Sequence, residues 1–333
     1  MRLPRFDCFD PRTVEEACAM LDTHSHAARI CAGGTDLLVR LKQRLDAPRA
    51  LVNLSAVRDL RDIQFDAEIG LRIGALTTLR EIADSALVRA HYPMLAQAAR
   101  AVASPQVRNQ ATLGGNLCLE KRCWFFNQSQ SWRQARAACL RAGGEQCWAI
   151  PSADACHALV LADTAPALIA LRAQVVIASS DSTRVLPLDQ LYAGLGNATT
   201  SLAPNEILTQ VRVPPPLPDS HGVYLRYSTR PAIDFALVQV AALLIREEPA
   251  GICREARLII GALGSLPVEA RQAASLLNGQ TFTHDVVAAA ADTAVKEVKI
   301  IPHIFLAPAA KRRLARAFIE EALRQANEPK VPN

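Results

Sequence analysis

Along this chain, hydrophobic and polar positions fall into short runs of helical or alternating period, none sustained for long. "PRTVEEACAML" places Thr13 before early acids and apolar residues at helical spacing, which predicts a capped helix. "AARICAGGTDLLVRLKQ" reads as a short strand, a glycine turn and a helix, and "LVNLS" as a buried strand. "GLRIGALTTLREIADSALV" repeats the strand, turn and helix order, with Thr77 or Thr78 as the cap. An alanine-rich helix is predicted over 92–107, followed by a second glycine turn in "NQATLGGNL". Farther on, "TAPALIALRAQVVIAS" and "TRVLPLDQLYAG" predict paired strands and an edge. "EILTQVRVPPPLP" ends a strand in a run of prolines, which sets a boundary near 214–218. Beyond it, strands are predicted at "YLRYSTR", "ALVQVAALLI" and "ARLIIGALG", and helices at "PVEARQAASLLNG" and "APAAKRRLARAFIEEALRQA". The tail "NEPKVPN" reads as frayed.

Strands and helices mix without a steady βαβ alternation, so the fold class is α+β rather than one doubly wound sheet. The predicted units are an N-terminal α/β subdomain over 1–55, a second subdomain over 56–216 and a C-terminal α+β domain over 217–330. The 333 residues and half-hydrophobic composition suit two or three domains with real cores. A net charge of +5 is too small and too spread to indicate nucleic acid binding. The N-terminus lacks the apolar core of a signal peptide, and no run approaches the roughly 20 apolar residues of a membrane span. A cytoplasmic protein is therefore expected. There the nine cysteines are not expected to form disulfides, and a cluster of them points to metal. Cys8, Cys18, Cys31 and Cys253 stand singly and read as small hydrophobes.

Two glycine turns, "AGGTDLL" and "TLGGN", are the candidate ligand loops. Without a Cβ the backbone can approach a ligand closely. A following helix adds free N–H groups that favour an anion such as pyrophosphate. Thr35, Thr112 and Asn116 could add side-chain donors. Neither loop matches G-x-G-x-x-G or a P-loop, so the residues alone reach candidate nucleotide loops and stop. For Asp163, before "TAPALIAL", the alternatives are a ligand contact and a helix cap.

"KRCWFFNQSQSWRQARAACLRAGGEQCWAI" differs from the rest. It holds Cys123, Cys139 and Cys147 and all three tryptophans, Trp124, Trp132 and Trp148, with Cys118 just before and Cys156 just after. None of the spacings is C-x-x-C, so spacing leaves tetrahedral zinc, a [4Fe–4S] cluster and unrelated core cysteines open. The bulky aromatic residues favour a shielded iron–sulfur cluster. Lys121, Arg122, Arg133, Arg136 and Arg141 occur with no acid between 121 and 141, which suggests a basic face for an acidic partner.

"ICAGGTDLL", "LRIGALTTLREI", "SPQVRNQATLGGNL" and "ADTAPALIAL", in this order, resemble the flavin-binding subunits of the molybdenum hydroxylases, the xanthine dehydrogenase and carbon monoxide dehydrogenase relatives. "YLRYSTRPAIDFALVQVA" and "PVEARQAASLLNGQ" resemble their C-terminal domain. The resemblance covers nearly the whole chain. It implies two N-terminal α/β subdomains of the PCMH (vanillyl-alcohol-oxidase-like) type with non-covalent FAD between them, and a CO dehydrogenase flavoprotein-like C-terminal domain. It implies that Ile30, Cys31, Ala32, Gly33, Gly34, Thr35, Asp36 and Leu37 cradle the pyrophosphate. Thr112, Leu113, Gly114, Gly115 and Asn116 would form the second loop, with Val102 packed nearby, Asp163 on the flavin side, and Leu208 and Arg226 as further contacts. Relatives often carry Lys where Arg226 stands.

The segment from Asn116 to Asp163 is longer than in most such subunits, so 117–158 reads as an insertion. It resembles the inserted four-cysteine loop of the 4-hydroxybenzoyl-CoA reductase branch of the family, which implies Cys123, Cys139, Cys147 and Cys156 as ligands of a [4Fe–4S] cluster. Cys118 is then a spare thiol beside the flavin loop and His157 an outside candidate. The tryptophans are expected to wrap the cluster. The resemblance further implies ferredoxin as electron donor, a small γ subunit with [2Fe–2S] centres, a large α subunit with Mo-pterin, and a dimer of heterotrimers. Substrate chemistry would fall on the α subunit, so no catalytic residue is expected in this chain.

Overall fold

The computed structural model describes residues 2–247, 251–304 and 306–328. Three sheets organise the chain in sequence order. The first is parallel: β1 (Asp7–Phe9), β2 (Ala28–Cys31) and β3 (Ala50–Asn53) lie in the order β1-β3-β2. Helix α1 (Val14–His24) crosses over between β1 and β2. Its Thr13 hydroxyl accepts the Glu16 N–H, and Ala17, Cys18 and Leu21 pack beneath with Val52 and Leu54. Helix α2 (Leu37–Lys42) follows β2 and is only six residues long.

The second sheet is antiparallel, ordered β4-β5-β8-β6-β7. It comprises β4 (Ile63–Asp66), β5 (Gly70–Gly74), β6 (Gln174–Ala178), β7 (Thr183–Pro187) and β8 (Ile207–Val213). After β5 come α3 (Leu79–Asp84), α4 (Ala86–His91), α5 (Pro93–Ala101), α6 (Pro105–Arg108) and α7 (Leu113–Leu117). Thr78 heads α3 with a full capping box to Glu81. The helix predicted over 92–107 is broken between α5 and α6. Ala103 takes φ +43°, outside the helical region, and Pro105 restarts the chain as the first residue of α6. The inserted segment carries one short helix, α8 (Gln130–Gln134).

"TAPALIA" is helix α9 (Thr164–Ala170), not the strand that sequence predicts; the strand β6 begins only at Gln174. All seven residues of α9 are buried. A helix buried on every side shows no amphipathic period, so its apolar run is indistinguishable from a core strand.

The third sheet is antiparallel, ordered β12-β11-β10-β9, from β9 (Ser220–Tyr227), β10 (Val238–Glu247), β11 (Ile252–Gly261) and β12 (Val268–Glu269). Helices α10 (Arg271–Leu277), α11 (His284–Glu297) and α12 (Pro308–Asn327) accompany it. The predicted helix at "PVEARQAASLLNG" begins late, because Val268 and Glu269 pair with β11 first. Helix α11 was not expected from the sequence; Thr283 caps it and its alanines fill the core under α12. The tail and the predicted domain end fall partly on residues 329–333, outside the described residues. No described helix is long and apolar enough to cross a membrane.

Lys311 is fully buried in α12, and its ammonium donates to the carbonyls of Ala262 (2.9 Å) and Leu263 (3.5 Å). Burial pushes it down to about 8. A folded-state value below the ordinary one of 10.5 means the unfolded chain holds more protons between the two. Stability from this group therefore rises with pH across that window. Denaturant titrations of wild type and Lys311→Met at several pH values should show the wild-type advantage growing from pH 8 to pH 10.5. A pH-independent difference would contradict the assignment.

Candidate functional site

A cleft of about 600 Å³ opens between the first two sheets. One wall is the turn after β2. Leu38 N–H closes the first turn of α2 onto Gly34 O at 3.0 Å, so the amides of residues 34–37 have no intrahelical acceptor. Gly34 stands at φ +69°, which a side chain rarely adopts. Gly33 is needed for a different reason: a Cβ there would lie 1.8 Å from the Gln110 carbonyl oxygen. The two glycine loops touch backbone to backbone at this point.

The second loop forms the facing wall. Thr112 caps α7 by accepting the Gly115 N–H at 3.1 Å. Gly114 rests on Ala75, whose methyl would be 2.9 Å from any added Cβ. Asn116 accepts from the Thr164 hydroxyl (2.7 Å) and amide (3.2 Å), so the loop is pinned to the start of α9.

Ile30, Ala32, Gly34, Thr35, Asp36, Leu37, Val102, Thr112, Gly114, Gly115, Asn116, Asp163 and Leu208 all line this cleft, as does Cys118. Cys31, Gly33, Leu113 and Arg226 do not. Gly33 lies against Gln110, and Leu113 is wholly buried in the core. Cys31 ends β2 with its thiol beside the Ala32 carbonyl. Arg226 lies behind Asp163, its guanidinium donating to that carboxylate at 2.8 Å.

The Asp163 cluster contains residues that sequence reading missed. One carboxylate oxygen accepts from Arg226 Nε, Gln239 Nε2 (2.9 Å) and Tyr224 Oη (3.2 Å). Tyr224 and Arg226 are two apart on β9, hence on one face, and Gln239 of β10 is the register partner of Arg226. Burial raises the Asp163 carboxyl, while Arg226 and the hydrogen bonds act against it. Burial, and then the Asp163 charge, raise the Tyr224 phenol well above its ordinary value, so it stays a donor. Asp163 stands at the cap position of α9 but makes no side-chain capping bond, so capping is not its role.

The rim of the cleft adds Arg122, Ile233, Asp234 and Phe235. Arg122 pairs with Asp36 and lies 4.8 Å from the centre of the Phe235 ring. Burial, with Arg141 nearby, lowers it to about 10, so it remains a cation at neutral pH.

Cys123, Cys139, Cys147 and Cys156 line one small separate cavity with Phe125, Phe126, Trp148 and His157. All four are free thiols. The free space is about 20 Å³, so it is the donor set rather than the volume that fits a metal centre. A bonded metal sits about 2.3 Å from thiolate sulfur, inside the contact distance that limits a free guest. Among the described residues, no three His, Cys, Asp or Glu side chains converge to hold a single ion. His157 is buried and its Nδ1 has no hydrogen-bond partner.

Two expectations for the insertion need correction. The tryptophans do not jointly wrap the cavity: Trp148 lines it, but Trp124 is 44% exposed and Trp132 stacks with Arg136 at 4.3 Å. Phe125 and Phe126 do the shielding instead. Nor do the cations form a docking face. Lys121 is buried with its ammonium on the carbonyls of Gly194 and Gly196 (3.3 Å for the second, 2.5 Å for the first). Arg122 is taken by Asp36, and Arg141 by the Lys121 carbonyl (2.6 Å) and Glu120 (2.8 Å). Arg133 binds the carbonyls of Gln43, Arg44 and Gln128. Arg136 alone of the five is exposed. The carbonyls they satisfy belong partly to the insertion, at Lys121 and Gln128, and partly to the loops packed against it, at Gln43, Arg44, Gly194 and Gly196.

The cleft between two α/β lobes, with glycine loops on facing walls and a buried carboxylate at its back, defines a dinucleotide-binding flavoprotein. Residues 4–216 match the FAD binding domain in molybdopterin dehydrogenase, and residues 223–326 match the CO dehydrogenase flavoprotein C-terminal domain. The chain is 33% identical over 304 residues to the aldehyde oxidoreductase FAD-binding subunit PaoB of Escherichia coli K12, covering 88% of this chain and 91% of that protein. It is 28% identical to the carbon monoxide dehydrogenase medium chain of Hydrogenophaga pseudoflava, covering 88% and 86%. A solved carbon monoxide dehydrogenase chain from Hydrogenophaga pseudoflava superposes with TM-score 0.80 at 26% identity, covering 98% of each. Quinoline 2-oxidoreductase from Pseudomonas putida 86 gives 0.80 at 28% identity, covering 98% of each. The chain belongs to the FAD-binding subunits of the xanthine and CO dehydrogenase family of molybdenum hydroxylases, and its cofactor is FAD.

Replacing Gly33 by Ala forces the two loops apart, so FAD should be lost on gel filtration. Asp163→Asn leaves the Arg226 guanidinium buried without its counter-charge and should cost about 3 kcal/mol in denaturant titration. Adding Arg226→Gln to that variant should return part of the loss; no recovery would mean that the charge pair is not the source.

Proposed function

We propose that this chain is the electron-transfer flavoprotein subunit of a 4-hydroxybenzoyl-CoA reductase. It would work beside a large Mo-pterin α subunit and a small [2Fe–2S] γ subunit, with ferredoxin as donor, in a dimer of heterotrimers. The observation that carries the reading is the four inserted cysteines lining one cavity next to the FAD cleft. When bound, a [4Fe–4S] cluster and FAD supply one-electron and one- or two-electron chemistry, fitting a relay between ferredoxin and the molybdenum subunit where 4-hydroxybenzoyl-CoA is reductively dehydroxylated to benzoyl-CoA.

This chain's own residues bind, orient and exclude water. In this reading the free amides of 34–37 and the Thr112–Asn116 turn hold the FAD phosphates and ribityl chain. Asp163, fixed by its three donors, is positioned to accept a hydrogen bond from the flavin side, and Val102 and Leu208 give apolar contact. Cys123, Cys139, Cys147 and Cys156 would hold the cluster; the Phe125 and Phe126 amides donate toward Cys123 and favour its thiolate against burial. Phe125, Phe126 and Trp148 line the cavity beside them. The relatives whose names specify a substrate act on other compounds, aldehydes and carbon monoxide among them. The acyl-CoA assignment therefore draws on the resemblance of the inserted loop.

The experiment is iron, acid-labile sulfide, zinc and FAD per chain on anaerobically purified protein. About four irons, four sulfides and one FAD are expected. In Cys139→Ser, iron and the broad visible shoulder should fall sharply. One zinc without sulfide would make the loop structural and remove the reductase reading.

A further inference from the structure

Helix α2 is held at both ends by arginines from the insertion. At its N-terminus Arg122 pairs with Asp36, the cap residue, whose carboxylate makes no capping bond and lines the cleft. At its C-terminus Arg133 donates to the carbonyls of Gln43 (3.3 Å), the cap residue there, and Arg44 (2.8 Å). Both arginines are tied to the cysteine cavity. Arg122 precedes Cys123, and its backbone is fixed by reciprocal bonds with Leu159 (2.8 and 2.9 Å). Arg133 lies 5.9 Å from the ring of Phe126, which lines that cavity.

Asp36 places a carboxylate in the wall of the cradle. An unpaired carboxylate among the amides of 34–37 would repel a dianionic ligand. Within the first unit, Arg40 is committed to Asp46 at 2.6 Å, and Arg29 faces the same carboxylate at 3.8 Å. The cation that neutralises Asp36 comes from the insertion.

We infer that the insertion is a working part of the FAD site: Arg122 and Arg133 are positioning residues that set α2, and Arg122 cancels the Asp36 charge so that the loop accepts pyrophosphate. Folding of the cysteine loop and FAD affinity are then coupled, each favouring the other by the same factor. The inference rests on the FAD reading of the cleft and is independent of which metal the cysteines hold.

The test is FAD affinity of the full-length chain, stripped of flavin and re-titrated by quenching of flavin fluorescence. Arg122→Gln should weaken FAD about tenfold, and Arg133→Gln by a smaller factor. Adding Asp36→Asn to Arg122→Gln should restore most of the affinity, a rescue that loss of structure alone would not produce. Arg122→Lys, which keeps the charge, should stay near wild type and serves if the glutamine variant folds poorly. Affinities within twofold of wild type in both single variants, or no rescue by Asp36→Asn, would overturn the inference. Iron, sulfide and zinc measured on the same preparations report separately on the cluster, so either reading can fail alone.

Discussion

The buried carboxylate of Asp163 is the constraint on which the cleft depends. It accepts from Tyr224, Arg226 and Gln239 across the boundary between the second and third sheets, and it heads the helix that Thr164 pins to Asn116. Burying a charge is costly unless it is paired and hydrogen-bonded, so these partners must arrive together. One polar knot thereby sets the C-terminal sheet, α9 and the second glycine loop relative to one another. Gly261 shows how tight the packing is: a Cβ there would lie 2.3 Å from Gln239 Oε1.

The insertion follows a different rule. Its apolar content is too small for a large core, so it is held by cations placed on carbonyls. Lys121 and Arg133 cap backbone oxygens on neighbouring segments, Arg141 caps the Lys121 carbonyl within the insertion, and Arg133 and Arg141 also lie over Phe126. Charge density in such a segment reads from sequence as a surface for a partner. In the folded chain it is mostly internal mortar.

The cleft and the cysteine cavity share a wall. Arg122 faces one and Cys123 the other, a separation of a single peptide unit. Shielding by Phe125, Phe126 and Trp148 on one side and by Val102, Leu161 and Leu208 on the other keeps both sites largely apolar. A low-dielectric wall strengthens every charge placed in it, which is why the Asp36–Arg122 pair can matter to a ligand on one side and a cysteine loop on the other.

Local chemistry in the sequence determined a good deal: the Thr13 and Thr78 caps, the strand–glycine–helix turns, the β-rich C-terminal half and the grouping of four cysteines. These depend on neighbours a few residues apart, where capping geometry and side-chain period are explicit. The tertiary structure decided what those rules cannot reach. It made "TAPALIA" a helix, because burial on all sides erases the period, and it broke the alanine-rich helix at Ala103. It put Arg226 behind Asp163 rather than in the cleft, and turned the insertion's arginines inward. The placements of Arg226 and of the insertion's arginines were set by polar partners many residues away, which no local pattern records.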